Sequence, residues 1–276
     1  MIASRRLLIA ALHALAEFSD ALTVVGAHAT HLRIQQVVPT LGMQDTRDAD
    51  TAVTPELVAP NPKFFDELAA IGVVPALADR PGIYGLISEA HLAYEDRVTI
   101  DLIAPDAYAG AGRRSARIPG QDKSVTRSRG MELAVWDRDL MSIATFDEPQ
   151  QIVEAWVAGP AALLIAKAHK VHDRWLEEQQ GKKDRLRMKD SGDIALLMLT
   201  HDPVVAAQTM QLASVAHPEI TSAVTCGIGY LISMYADPES ILRGHMRSAL
   251  TILDIDEIDF ENRVADWLVR FAEATS

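Results

Sequence analysis

Apolar and polar positions in the first half of the chain follow two different periods. Apolar residues at helical spacing predict helices over residues 4–18 and 63–71, with another from Gly26 to about residue 34. Runs rich in β-branched residues predict strands, which fall at 22–27 (LTVVGA), 47–53 (RDADTAV), 97–104 (RVTIDLIA) and within 131–145. The first half is therefore expected to combine a sheet with helices.

The second half has a uniform helical pattern after Pro149. The predicted helices span 149–158, 160–180, 189–200, 202–215, 218–235, 238–250 and 258–274. Together the two halves predict an α+β protein with two domains. Residues 1–148 would form a mixed sheet with helices on one side, and residues 149–276 would form a helical bundle.

Composition and charge narrow the class of protein. The 276 residues are 49% hydrophobic and carry a formal net charge of −12, which argues against a broad surface that coats nucleic acid. A single cysteine, Cys226, excludes an intrachain disulfide framework. No stretch approaches the roughly 20 uncharged residues that span a bilayer. We therefore expect a cytoplasmic protein with no membrane attachment.

Three acidic residues on predicted strands are the main candidates for chemistry. Asp48 and Asp50 are two apart on one strand, so their side chains share a face. Adjacent carboxylates repel each other unless a cation lies between them. Asp101 interrupts another apolar strand, where a charge needs a partner. If the two strands are neighbours, the carboxylates form the oxygen set that Mg²⁺ prefers. The alternatives are a solvated turn for the Asp-x-Asp pair and a cap or core salt bridge for Asp101.

The order of these motifs resembles a known superfamily. The stretches VVGAHATHLR, TRDADTAV and VTIDLIAP resemble the DNA polymerase β-like nucleotidyltransferases, whose signature is Gly-Ser, a helix, Asp-x-Asp and a later carboxylate. GPAALLIAKAHKVHDR and RMKDSGDIALLM resemble the Lys-bearing helix and the Lys-Asp-x-x-Asp helix of AbiEii-type toxin nucleotidyltransferases. The likeness covers most of residues 20–200, and the order of the blocks is more specific than any one of them.

The resemblance implies a function and a set of site residues. The protein would transfer NMP from an NTP to an acceptor hydroxyl, on RNA such as tRNA, as the toxin of a toxin-antitoxin system with an antitoxin partner. The catalytic and metal-binding residues, holding Mg²⁺ or Mn²⁺, would be Asp48, Asp50 and Asp101. The nucleotide-binding residues would be Gly26, Ala27, Arg47, Lys167, Lys189 and Asp190.

Two features leave other functions open. Ala27 stands where the superfamily has serine, which removes one hydroxyl contact to phosphate and suits a non-catalytic nucleotide-binding module. The acidic helical half suits a polycationic small molecule, such as an aminoglycoside, as the acceptor.

A local reversal of charge occurs in segment 113–129 (RRSARIPGQDKSVTRSR). It carries five arginines and one lysine against a single acid, Asp122. The segment is either a mobile basic flap over a nucleotide or an RNA end, or an ordinary solvated loop.

Overall fold

The computed structural model describes residues 1–39, 46–121, 123–182, 186–253 and 255–276, apart from the side chain of residue 251. Asp122 lies outside the described residues. The chain forms two compact units. The first comprises Met1–Ala29 and Met43–Ala158, and the second comprises Thr30–Gly42 and Gly159–Ser276.

The first unit contains a mixed sheet, which has eight strands within the described residues. The strands are β1 (Leu22–Val25), β2 (Asp48–Val53), β3 (Val73–Pro75), β4 (Ile83–Leu86), β5 (Thr99–Pro105), β6 (Thr126–Ser128), β7 (Arg138–Ala144) and β8 (Ile152–Ala158). Their order is β3-β4-β5-β2-β1-β8-β7, and β6 pairs with β5 beyond the end of β4. The pairs β2–β5, β1–β8 and β5–β6 are parallel, and the other pairs are antiparallel.

Helices α1 (Ile2–Ala14) and α3 (Phe64–Ala70) belong to the first unit. Helix α2 (Gly26–Val37) begins in the first unit and continues into the segment of the second unit that starts at Thr30. Helix α1 packs against β2, β5 and β8, and it buries Leu8, Ile9 and Ala11 completely. Burial of apolar side chains at about 25 cal/mol per Å² is the main stabilising contribution to such packing.

The second unit is built from helices in its described residues. They are α4 (Pro160–Gln179), α5 (Met188–Thr200), α6 (Pro203–Ala216), α7 (Thr221–Tyr235), α8 (Ile241–Met246), α9 (Leu250–Leu253) and α10 (Glu257–Thr275). Polar side chains begin three of them: Asp202, Ser240 and Asp256 each accept a hydrogen bond from a backbone N–H in the first turn. None of the described helices combines the length and the apolar character needed to cross a membrane.

The predicted α+β class is confirmed, and one element was predicted wrongly. Residues 149–158 were expected to be a helix, but Ile152–Ala158 forms strand β8. Its β-branched and aromatic residues favour a strand, and β8 pairs with both β1 and β7. Pro149 precedes the strand instead of beginning a helix. Residue 148, the predicted domain boundary, lies in the connection between β7 and β8.

Candidate active site

Three carboxylates lie on one face of the sheet near its centre. In the parallel pair β2–β5, Asp50 lies directly opposite Asp101. Residues paired across two strands point to the same side of a sheet, as do residues two apart on one strand. Asp48, Asp50 and Asp101 therefore share a side, on strands that neighbour each other at about 4.8 Å. The two strands that carry these residues are neighbours in the sheet.

Gly26 gives the Asp50 carboxylate its space. Strand β1 runs antiparallel to β2, which places Val25 opposite Asp50. Helix α2 then begins at Gly26 with a φ of +66°. A Cβ on this residue would lie 2.0 Å from Asp50 Oδ2, closer than any non-bonded contact allows. The first turn of α2 is thus shaped around a carboxylate, where exposed N–H groups favour negative charge.

The pKa of Tyr94 is affected by the charges of all three carboxylates. It lies in a single 3₁₀ turn, Tyr94–Asp96, before β5. Burial raises the pKa of its phenol above the ordinary value, and the charge of Asp101 raises it further. Asp48 and Asp50 raise this pKa as well, and the Arg80 guanidinium, 6.0 Å from the ring centre, lowers it. The phenol is therefore within electrostatic range of the three carboxylates.

Neither Tyr94 nor Arg80 was predicted from the sequence. Both lie in short connections with no periodic pattern, and neither belongs to a motif of the resemblance. Their importance follows only from where the chain places them. Together they add a hydroxyl donor and a cation to the carboxylate face, the side of the sheet that bears Asp48, Asp50 and Asp101.

A buried hydrogen-bond network holds Asp48. Thr46 Oγ1 donates to Asp48 Oδ1 at 2.5 Å. Ser4 Oγ lies 2.9 Å from the carbonyl oxygen of Thr46 and 3.1 Å from His28 Nε2. Arg5 Nε donates to His28 Nδ1 at 3.0 Å, so Nδ1 is the acceptor and the proton is on Nε2. The network connects α1 and α2 to the start of β2, and its members other than Asp48 are buried.

This network predicts a positioning role for Thr46. If the three carboxylates support a Mg²⁺-dependent activity, Thr46→Val, which keeps the shape but removes the hydroxyl, should raise the Mg²⁺ concentration needed for half-maximal activity about 10-fold or more. Thr46→Ser retains the donor and should behave like the wild type. The measurement is activity against Mg²⁺ concentration for the three proteins. A change in maximal rate with an unchanged Mg²⁺ midpoint would show that Thr46 has only a structural role.

Arg47 lies beside the acidic strand but turns away to hold the Tyr94 turn. Its Nη1 donates to Asp96 Oδ1 at 2.7 Å and to the carbonyl oxygen of Glu95 at 3.0 Å. Arg47 therefore fixes the connection that carries Tyr94. Ala27 is half-buried in the first turn of α2, where it offers phosphate a backbone N–H and no hydroxyl.

Lys167 and Asp190 lie in the second unit, in a charged cluster between α4 and α5. Lys167 Nζ is 2.7 Å from Asp193 Oδ2, and the two side chains are 6% and 4% exposed. Lys170 Nζ is 3.1 Å from Asp190 Oδ1, and Arg174 also pairs with Asp190. Burial alone would raise the pKa of Asp190, but the charges of Lys170, Arg174 and Lys167 outweigh it and hold the pKa below its ordinary value.

Lys167 is one partner of a buried ion pair. A buried ion pair resists rupture, because removing one partner leaves a charge without compensation and costs about 3–5 kcal/mol. The ion pair between Lys167 and Asp193 therefore joins two helices and orients the Lys167 side chain. Lys189 is half-buried in the first turn of α5. Nucleotide binding by Lys167, Lys189 and Asp190 stays a prediction.

The donor atoms of the carboxylate face are carboxylate oxygens, which hard cations prefer as ligands. The carboxylate groups come from two adjacent strands and point the same way, and Gly26 leaves room for one of them. Among the described residues, no group of three or more His, Cys, Asp or Glu side chains is placed so that it could hold a metal ion. Comparison of the chain with protein-family models, with curated proteins and with solved structures gives no match in any of the three.

Proposed function

We propose that the first unit is a Mg²⁺-dependent nucleotidyltransferase, which moves NMP from an NTP to an acceptor hydroxyl. The observation that carries this proposal is the register of β2 and β5, with Asp50 opposite Asp101 and Asp48 on the same side. Facing carboxylates repel each other unless a cation lies between them. Such an arrangement is typical of a site that binds divalent cations.

The residues present fit Mg²⁺, or Mn²⁺ as a similar hard cation. Asp48 and Asp50 would hold the ion that accompanies the triphosphate, and Asp101 with one of them would hold a second. When bound, these ions neutralise phosphate charge and lower the pKa of the acceptor hydroxyl. Support comes from the oxygen chemistry of the donors and from the open space that Gly26 keeps for Asp50.

The protein's own groups would position the reactants. Asp101 accepts the proton of the acceptor hydroxyl, whose oxygen bonds to the α-phosphorus as pyrophosphate leaves. Tyr94 stays protonated at neutral pH, since its pKa is raised, and it remains a hydroxyl donor. Arg80, beside the Tyr94 ring, offsets negative charge on a bound phosphate.

The test is label transfer by the wild-type protein. Purified protein is incubated with Mg²⁺ and each radiolabelled NTP, with total tRNA in one series and kanamycin in another. We expect label on one acceptor class with at least one NTP, and none when EDTA is present. A folded protein that labels neither acceptor with any NTP would contradict the proposal.

One observation favours a second candidate. Ala27 brings no hydroxyl to the first turn of α2, which suits a nucleotide-binding module without catalysis. That candidate predicts NTP binding unchanged by Asp48→Ala, as isothermal titration would show. An RNA acceptor and an antitoxin partner stay predictions from the resemblance, and a cytoplasmic location stays a prediction from the composition of the chain.

A further inference from the structure

A basic pocket lies in the first unit next to the start of strand β4. It has a volume of about 580 Å³ and lies between the hairpin that joins β3 to β4 and residues 114–115 and 123–124. Its described lining carries three cations, Arg80, Arg114 and Lys123, against one acid, Asp79. None of the three cations forms a salt bridge with the described part of the chain. In a protein of net charge −12, this is a local excess of positive charge.

The walls of this pocket are tied to the sheet. Thr126–Ser128 forms β6 and pairs with β5, and the backbone N–H of Ala116 donates to the carbonyl of Val125 at 3.0 Å. Arg127 Nε donates to Asp106 Oδ1 at 2.7 Å, so this arginine stabilises the segment. Within the basic segment 113–129, residues Thr126–Ser128 therefore form a strand of the sheet. The side chains of Arg114 and Lys123, unlike that of Arg127, can contact a ligand in the pocket.

Arg80 connects the pocket to the carboxylates. Ile83, at the start of β4, lies opposite Asp101, and the Arg80 guanidinium lies 6.0 Å from the Tyr94 ring centre. Along the sheet, the order is the Gly26 turn after β1, then β2, β5 and β4. The pocket thus lies on the side of Asp101 that is away from the Gly26 turn.

The two faces of the sheet limit the shape of the ligand. Tyr84, a wall of the pocket, pairs with Ile100 and shares its face, whereas Asp101 points to the opposite face. A ligand that occupies both places must therefore reach from one face of the sheet to the other.

We propose that this pocket binds backbone phosphates of an RNA acceptor strand, away from the nucleotide whose hydroxyl reacts. The proposal rests on the proposed transfer at the carboxylates and names its acceptor class. Three cations suit phosphates and repel a polycation, so the pocket selects against an aminoglycoside. Arg80 contacts the strand between the pocket and the reacting end.

The test measures RNA binding without catalysis. The probe is a fluorescein-labelled single-stranded RNA of about 12 nucleotides, whose anisotropy is followed in EDTA at several NaCl concentrations. Arg114→Ala/Lys123→Ala should weaken binding about 10-fold and reduce the slope of log affinity against log salt by about 1.4, because each single-strand phosphate contact contributes about 0.7.

The matched control is Arg113→Ala/Arg117→Ala. It removes the same charge from the same segment, at exposed residues that do not line the pocket. We expect its affinity to stay within about 2-fold of the wild type. The unfolding temperatures of both double variants are measured to check that the fold is intact.

The possible results distinguish failure of the pocket proposal from failure of the proposed transfer reaction. Equal losses in both doubles, no loss in the pocket double, or no RNA binding by the wild type would overturn the pocket proposal, even if label transfer is observed. Transfer of label to kanamycin and not to tRNA would also overturn it. Pocket-dependent RNA binding without label transfer would support the pocket and contradict the transfer chemistry alone.

Discussion

Replacing Asp101 with asparagine should lower the rate of nucleotidyl transfer about 10³-fold or more. Asparagine has nearly the same shape, but it carries no charge and cannot accept the acceptor's proton. The remaining carboxylates, Asp48 and Asp50, would hold a cation less tightly. The measurement is initial rate at saturating NTP and Mg²⁺, compared with the wild type.

The same substitution should not destabilise the fold. Asp101 faces Asp50 across two strands, so loss of one charge relieves repulsion when no cation is present. In EDTA the unfolding temperature should be equal to or above that of the wild type. Asp66→Asn makes the same chemical change at an exposed position of the same unit and should keep full activity. An Asp101→Asn protein with activity within 10-fold of the wild type would remove Asp101 from the reaction.

Replacing Gly26 with alanine should lower the rate about 100-fold, the size of loss expected from displacing a reacting group by about 1 Å. The added Cβ would lie 2.0 Å from Asp50 Oδ2, so the carboxylate must move. The residue also has a φ of +66°, which costs an L-amino acid about 1 kcal/mol of stability. Rate and free energy of unfolding are both measured.

Gly181→Ala separates the two effects. Gly181 has a φ of +84°, and a Cβ there meets nothing within 4 Å. It should lose about 1 kcal/mol of stability through the same backbone cost as Gly26→Ala, without the steric clash, and keep its activity. Equal activities in the two variants would show that the position of Asp50 does not matter for transfer.

The strands that carry the carboxylates were predictable from local pattern. β1 and β5 are short runs rich in β-branched residues, and the spacing of Asp48 and Asp50 already places them on one face of β2. The register that sets Asp50 opposite Asp101 was not predictable, because it depends on how β2 meets β5 across about 50 residues of chain.

Other parts of the site arise only from tertiary contacts. Thr46 and Ser4 are 42 residues apart, and no spacing rule links them. Lys167 and Asp193 are 26 residues apart, so a basic helix face conceals a buried ion pair. Strand β8 was predicted as a helix because Pro149 suggested a helix start, whereas pairing with β1 and β7 determined its conformation.

The central claim is that Asp48, Asp50 and Asp101 bind divalent cations together. Isothermal titration of Mn²⁺ in the presence of a non-hydrolysable NTP analogue tests it most directly, with the wild type, Asp101→Asn and Asp66→Asn compared. We predict that the wild type and Asp66→Asn bind Mn²⁺ with equal affinity, and that Asp101→Asn binds it at least about 10-fold more weakly. Equal Mn²⁺ affinity in all three proteins, or no Mn²⁺ binding by the wild type, would contradict the claim.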